Sequence, residues 1–353
     1  ELKAAITSAA AVVFVFCFTS LGVVLVLGDS STRTLESQIL RQTSLLLDFS
    51  AAAITAILQI LVVSAALILG ARASMSRTRF TPVMRSSKRP HPLSARSKAY
   101  VRTTAAIGIG IVLLPLISLA YASLHATHGW TLQWWQSLAS LDAGTTRLGS
   151  PLDAVVTSLK YALITGVIAG LIGVLAAMSV LTHRMGRAIA VIALAPLGVS
   201  AATLGLGLML TYGRPPMDLR ATDVLVPLAH SIVAVPLVIA VVLPALRAND
   251  ARVLTAASAL GARPSRAFFT AYGPILRVVM LAAGGLAACV SLGEFGAASF
   301  LARSNAPTVP VQIVRLLQRP GEGSLGVSAA LAMILVVGTL LLVAAVDSMG
   351  KRR

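Results

Sequence analysis

Thr34-Leu35-Glu36-Ser37-Gln38-Ile39-Leu40-Arg41 and, 274 residues further on, Thr308-Val309-Pro310-Val311-Gln312-Ile313-Val314-Arg315 are two versions of one segment. Thr, Gln and Arg recur in register. The same offset sets Leu2 on Leu276, Lys3 on Arg277, Gly22 on Gly296, Leu27 on Leu301, and Ile60-Leu61-Val62-Val63 on Ile334-Leu335-Val336-Val337. Chance matches of Leu and Val are expected in an apolar chain, but matches of Gln, Arg and Gly are not. Each copy reads as apolar helix, short polar element, apolar helix, and both copies run the same way through their surroundings.

Those surroundings follow from composition. Of 353 residues, 57% are hydrophobic and only 12% charged, with 29 Lys and Arg against 12 Asp and Glu for a net +17. Mean hydropathy is +0.87. A soluble domain needs far more charged surface, and a disordered polycation far fewer apolar residues. A helix of about 20 apolar residues crosses a bilayer, and eight runs of that kind lie near 4–28, 45–70, 104–124, 154–181, 188–212, 223–246, 276–302 and 327–347. The first is too long for a cleavable signal peptide. Cys17 and Cys289 sit inside apolar runs, without disulfide or metal-ligand spacing, and read as small buried hydrophobes.

Eight crossings put both ends of the chain on one side. The segment 71–103 carries nine Lys and Arg and no acid, 247–277 carries five Arg against Asp250, and the chain ends Lys351-Arg352-Arg353; with Lys3, Arg184 and Arg187, 20 of the 29 cations fall on one face. The positive-inside rule makes that face cytoplasmic, and the ends of the chain with it. Trp130, Trp134 and Trp135 then follow the third span on the outer face, as an interfacial belt or as the packing of an outer loop.

The repeat divides the chain into 1–70, the last two helices of a first half; 71–103, a basic linker with Pro82, Pro90 and Pro92; and 104–353, a complete six-helix second half. The chain therefore looks like a protein of two similar halves from which most of the first is missing or supplied separately. Between the sixth and seventh runs, Asn249 to Pro274 reads as two short cytoplasmic helices. Val253, Ala257 and Leu260 share one face, Gly261 ends the first helix, and Pro264 opens the second. Ala256, Ala257 and Ala259 would let another protein's backbone approach closely, and the arginines around them favour an acidic rim. This is a docking knob.

Here the residues resemble a known family. Thr255-Ala256-Ala257-x-x-x-Gly261, with Pro274 thirteen residues after the glycine, resembles the coupling loop of permease subunits in type I ATP-binding-cassette importers, with Thr255 for the usual Glu, Ala271 for Ile and Gly273 for Leu. Phe18-Thr19-Ser20-Leu21-Gly22, Ser291-Leu292-Gly293-Glu294-Phe295-Gly296, and Ala229-His230 before Val235-Pro236 are similar to the two-half permeases of the ferric-iron and thiamine branch. The resemblance implies an all-α polytopic fold of the type I importer permease kind, in the bacterial inner membrane. It implies docking of an ATPase dimer on 248–275 through Thr255, Ala256, Ala257, Leu260, Gly261, Pro264 and Pro274. It also implies delivery of solute by an extracytoplasmic binding protein and alternating access between the halves. ATP would be bound by the partner alone, since this chain has no Gly-x4-Gly-Lys-Ser/Thr loop.

Glu294 is a carboxylate inside a span and must face protein or water. With Gly293, Gly296 and its repeat mate Ser20 it is the candidate pathway cluster, or else a structural hydrogen bond at a glycine bend. Lys160 can snorkel outward; His230 reads as an interhelical hydrogen-bonder; His125-x-x-His128 has a spacing a metal can use but no third ligand nearby. A self-contained secondary transporter or channel is the alternative function, yet such a carrier has no need of a small-residue cytoplasmic knob. No catalytic triad, zinc motif or carboxylate pair marks an enzyme, and no aromatic-interleaved basic domain marks nucleic-acid binding.

Overall fold

The computed structural model describes residues 6, 10, 13–28, 32–75, 94–139, 150–182, 185–213, 215, 218–219, 222–247, 256–257 and 259–351. A helical stretch at 13–18 leads into α1 (Leu21–Leu27), α2 (Leu35–Ser44) and α3 (Phe49–Met75). After the linker come α4 (Ala95–Leu124), a two-stranded hairpin (His125–Ala126 with Gly129–Trp130), α5 (Gln133–Gln136), α6 (Pro151–Thr182), α7 (Gly186–Leu194) and α8 (Ala201–Tyr212). The chain continues through α9 (Leu225–Arg247), α10 (Pro264–Gly293), α11 (Gly296–Leu301), α12 (Val309–Leu317) and α13 (Glu322–Lys351). Among the described residues, six helices are long and apolar enough to cross a membrane, within α3, α4, α6, α9, α10 and α13. The protein is an all-helical polytopic membrane protein.

Eight continuous spans were expected, and three of those runs are interrupted. Residues 188–212 split into α7 and α8, joined through a 3-10 turn at Ala195–Gly198 and bent by 107°. Pro196 stands near the start of that turn, where its missing N–H ends the regular ladder. The run 276–302 breaks at Glu294 (φ −75°, ψ 115°) and the run 4–28 at Ser20 (φ −89°, ψ 94°), so two extended residues fall at the same place in the two copies. Each break is closed locally. Ser20 N–H reaches back to the Cys17 carbonyl at 3.4 Å and Glu294 N–H to the Ser291 carbonyl at 3.3 Å.

The 274-residue register holds beyond the breaks. Thr34 and Thr308 are extended N-caps of α2 and α12. Thr34 closes a capping box with Ser37, whereas Thr308 makes no side-chain cap, and Val311, in the place of Ser37, has no side chain to complete a box. The corner into the last helix of each copy needs a left-handed residue: Gly321 (φ 120°) in the second, and in the first Leu47 (φ 53°), which costs about 1–2 kcal/mol.

The centre of the second half is α6, α9 and α10, packed through small side chains: Ala169, Ala177, Ala234, Val238, Ala283 and Ala287 are buried together. A Cβ on Gly166 would lie 2.8 Å from the Gly284 carbonyl oxygen, so these backbones touch. A second core joins the copies, uniting Leu21, Ile39 and Ala56 with Ala202, Leu206, Leu225 and Ala297. At one end of the bundle the Trp134 ring lies over Gly326 and donates to the His125 carbonyl at 3.0 Å, while Trp135 donates to the Ser123 carbonyl at 3.1 Å. Two of the three tryptophans therefore pack this loop, and Trp130 is exposed beside Tyr121.

Gly166→Leu should lower stability by about 1–3 kcal/mol or more, read as a lower melting temperature in detergent. Gly108→Leu, on a helix face where an added Cβ meets nothing within 4 Å, should leave it unchanged.

Candidate functional site

The three interruptions meet. A cavity of about 410 Å³ is lined by Thr19, Ser20, Leu21 and Gly22 from the first break, by Pro196, Val199, Ser200 and Ala201 from the second, and by Gly293, Glu294, Phe295 and Gly296 from the third. Non-helical backbone at membrane depth is tolerated where it is buried in protein or lines a water-filled space. Ser20, Gly293, Glu294 and Gly296, named from sequence as the pathway cluster, line this one cavity.

Glu294 sits where α10 stops. Its Oε1 accepts the Ala297 N–H at 2.9 Å, capping an orphan donor of α11. Gly296 is closely placed: a Cβ there would lie 3.0 Å from the Ala202 nitrogen and 3.2 Å from Glu294 Oε1. Beside it, Gly205 of α8 meets the Ala297 backbone, where a Cβ would come within 2.8 Å of its Cα. The Phe295 ring faces Gly22 of the other copy, 3.4 Å from where a Cβ would stand. Ser200 opens α8, its hydroxyl accepting the Thr203 N–H at 3.0 Å.

Sequence reasoning missed a buried polar group beside this cavity. Glu36 and Gln59 have no exposed surface, and the Gln59 amide donates to Glu36 Oε1. The Thr203 hydroxyl donates to Gln59 Oε1 at 3.4 Å and lies 2.9 Å from Ser200, so the chain of contacts runs from α2 and α3 into α8. The register could have flagged this group, since the mates of Glu36 and Gln59 are Pro310 and Met333.

Where α8 and α9 connect, Asp223 gathers cations. Lys160 Nζ lies 2.5 Å from its Oδ2, Arg303 holds Oδ1, and the Tyr161 hydroxyl is 3.4 Å from Oδ1. The hydrogen bond from Lys160, with Arg303 adding its charge, holds the Asp223 carboxyl below the usual carboxylate range. Lys160, expected to snorkel, is half exposed and paired. His230 is buried and bonded through Nδ1 to Ser291 at 2.8 Å, the interhelical role read from sequence. His125 stacks on Tyr121, and among the described residues no cluster of His, Cys, Asp and Glu has the makings of a metal site.

The knob residues lie apart from the cavity. Thr255 falls outside the described residues; Ala256 and Ala257 are helical, Gly261 adopts φ 81°, and the Ala262 N–H closes on the Ala257 carbonyl at 3.1 Å. Leu260 is an apolar side chain left 89% exposed. One expectation is corrected: the second short helix is not separate, because α10 begins at Pro264 and runs through residue 274 to Gly293 as a single helix. Pro264 at its start is where proline is best accommodated.

No family model matches the chain. It is similar to the putative 2-aminoethylphosphonate transport system permease protein PhnV of Salmonella typhimurium, 28% identical over 206 residues that cover 58% of this chain and 77% of the relative. It is also similar to the molybdenum transport system permease protein ModB of Mycobacterium tuberculosis, 28% identical over 69% of this chain and 92% of that one. The putrescine transport system permease protein PotI of Escherichia coli is 27% identical, with 59% and 76% covered.

Two outcomes test the site's construction. Gln59→Leu should destabilise the fold by about 1–3 kcal/mol, because it leaves the buried Glu36 without its donor; denaturant unfolding in detergent reads this. The Asp223 ion group should stabilise the protein above the unfolded carboxyl's pKa of about 3.9 and lose that contribution as pH falls through the lower folded value. A melting-temperature scan across acid pH should therefore show a step that Asp223→Asn abolishes.

Proposed function

We propose that this chain is the membrane-spanning permease subunit of a type I ATP-binding-cassette importer, and that the cavity where the three helix breaks meet is part of its solute passage. The observation that carries the reading is that convergence: interrupted helices from both repeat copies, lined by hydroxyls and one carboxylate, at their junction. The similarity to three permease proteins of transport systems supports it. Those relatives are named for 2-aminoethylphosphonate, molybdenum and putrescine, which are chemically unlike, so the similarity supports a permease and names no solute. Ferric iron or thiamine, the solutes of the branch the motifs resemble, remains the solute reading to test by uptake.

In this reading residues 1–70 are the end of a first permease half and 104–353 the second, joined by the basic linker on the cytoplasmic face of a bacterial inner membrane. The chain is a transport subunit and not an enzyme. ATP is hydrolysed by a separate ATPase dimer that docks on 248–275, where exposed Leu260 and the small side chains of Ala256 and Ala257 meet it. An extracytoplasmic binding protein presents solute at the face carrying Asp223 and the tryptophan loop. Closure of the ATPase dimer moves the knob, α10 transmits the movement along its length to Glu294, and the copies rock about the cavity. A self-contained carrier would use the same cavity without the knob.

Ala257→Trp should abolish ATP-dependent uptake in vesicles and lose co-purification of the ATPase, while membrane insertion persists. Co-purification at the normal level would argue for the self-contained carrier.

A further inference from the structure

Two sets of residues along α2 have unlike surroundings. Glu36, Ile39 and Thr43 are buried, and α2 packs on α3 and α8. Arg33, Ser37 and Arg41, spaced four apart so that they share a side of the helix, instead line a cavity of about 370 Å³ together with Gln38, Val24 and Leu25. Both arginines are exposed. Among the described residues no acid lines this cavity, and neither guanidinium takes part in an ion pair or a side-chain hydrogen bond. Glu36, their neighbour in sequence, is buried against Gln59, and Asp29 lies outside the described residues. A cleft lined by charge of one sign concentrates the opposite sign.

The repeat shows that the fold does not require these cations. The mates of Arg33 and Ser37 are Pro307 and Val311, both buried. Arg41 does have an arginine mate, Arg315, but its Nη1 donates to the Ser304 carbonyl at 3.2 Å. The same backbone therefore packs apolar side chains in one copy and presents two unpaired guanidiniums to a cavity in the other.

We infer that the Arg33–Arg41 cavity is a seat for a phosphate-class group, a tetrahedral oxyanion carried by a soluble molecule or by a phospholipid headgroup. Each guanidinium offers paired N–H donors that match two oxygens of such a group, and the Gln38 amide adds a neutral donor. The Ser37 hydroxyl is already engaged with Thr34, donating to its carbonyl at 3.0 Å, and so fixes the helix start between the two cations. Arg33 and Gln38 also border a larger cavity along the stacked rings of Phe14 and Phe18, an apolar wall on which the acyl chain of a lipid can lie.

The test uses the 353-residue chain in nanodiscs. In phosphatidylcholine alone, inorganic phosphate is titrated against sodium chloride of equal ionic strength; in a second series phosphatidylglycerol replaces half of the lipid. Melting temperature is the readout, with retained lipid counted by native mass spectrometry. Either probe should raise the melting temperature of the unaltered chain: a response to inorganic phosphate identifies a soluble ligand, and a response to phosphatidylglycerol alone, with lipid retained, identifies a headgroup. Arg33→Gln or Arg41→Gln should each weaken the response about tenfold in probe concentration, the weight of one charge-assisted contact. Arg102→Gln, an exposed arginine on α4, should leave it unchanged. No response to either probe, a response that the Arg33→Gln, Arg41→Gln double variant retains, or an equal loss in Arg102→Gln would overturn the proposal. Size-exclusion chromatography confirms that each variant is folded before it is scored.

Discussion

A backbone amide inside hydrocarbon has to find its partner within the protein, because there is no water to supply one. The rest of this structure depends on that constraint. Extended residues at Ser20, Val199 and Glu294 interrupt three helices, and each interruption strands donors and acceptors. They can coexist only by being gathered where side chains and a shared cavity satisfy them. Glu294 caps α11, Ser200 caps α8, and the glycines around them let α8 and α11 close on each other by backbone contact. The site follows from placing the unavoidable polar backbone in one spot.

Much of the architecture was legible in the sequence because the repeat carries it. Gly22 and Gly296, Thr34 and Thr308, and the Gln-Ile-x-Arg element mark positions that the backbone then occupies in matching conformations. What escaped was the continuity of the helices. Apolar composition measures how well a segment dissolves in lipid, and a run with one extended residue dissolves as well as one without. The merging of the second knob helix into α10 escaped for a related reason, since Gly273 and Pro274 read as punctuation, yet a long helix can carry both through its interior at their local cost.

The site was half legible. Glu294 announced itself as a carboxylate in an apolar run, and its repeat mate placed Ser20 with it. Glu36 and Gln59 did not, because Glu36 begins a short helix after a polar loop and looks solvent-facing until α8 folds over it. Asp223 likewise reads as a loop acid, and only the approach of α6 and the Arg303 segment gives it partners. These groups are assembled from elements far apart in the chain, and no local pattern announces that kind of proximity.

The Phe295 ring resting on Gly22 binds the histories of the two copies together. Repeats born alike are free to drift apart wherever each faces its own neighbours, but here one copy's bulk fills the other's vacancy. A methyl at position 22 would just touch the 295 ring, at 3.4 Å, and anything larger would press on it, so the size tolerated in one copy is set by a side chain of the other.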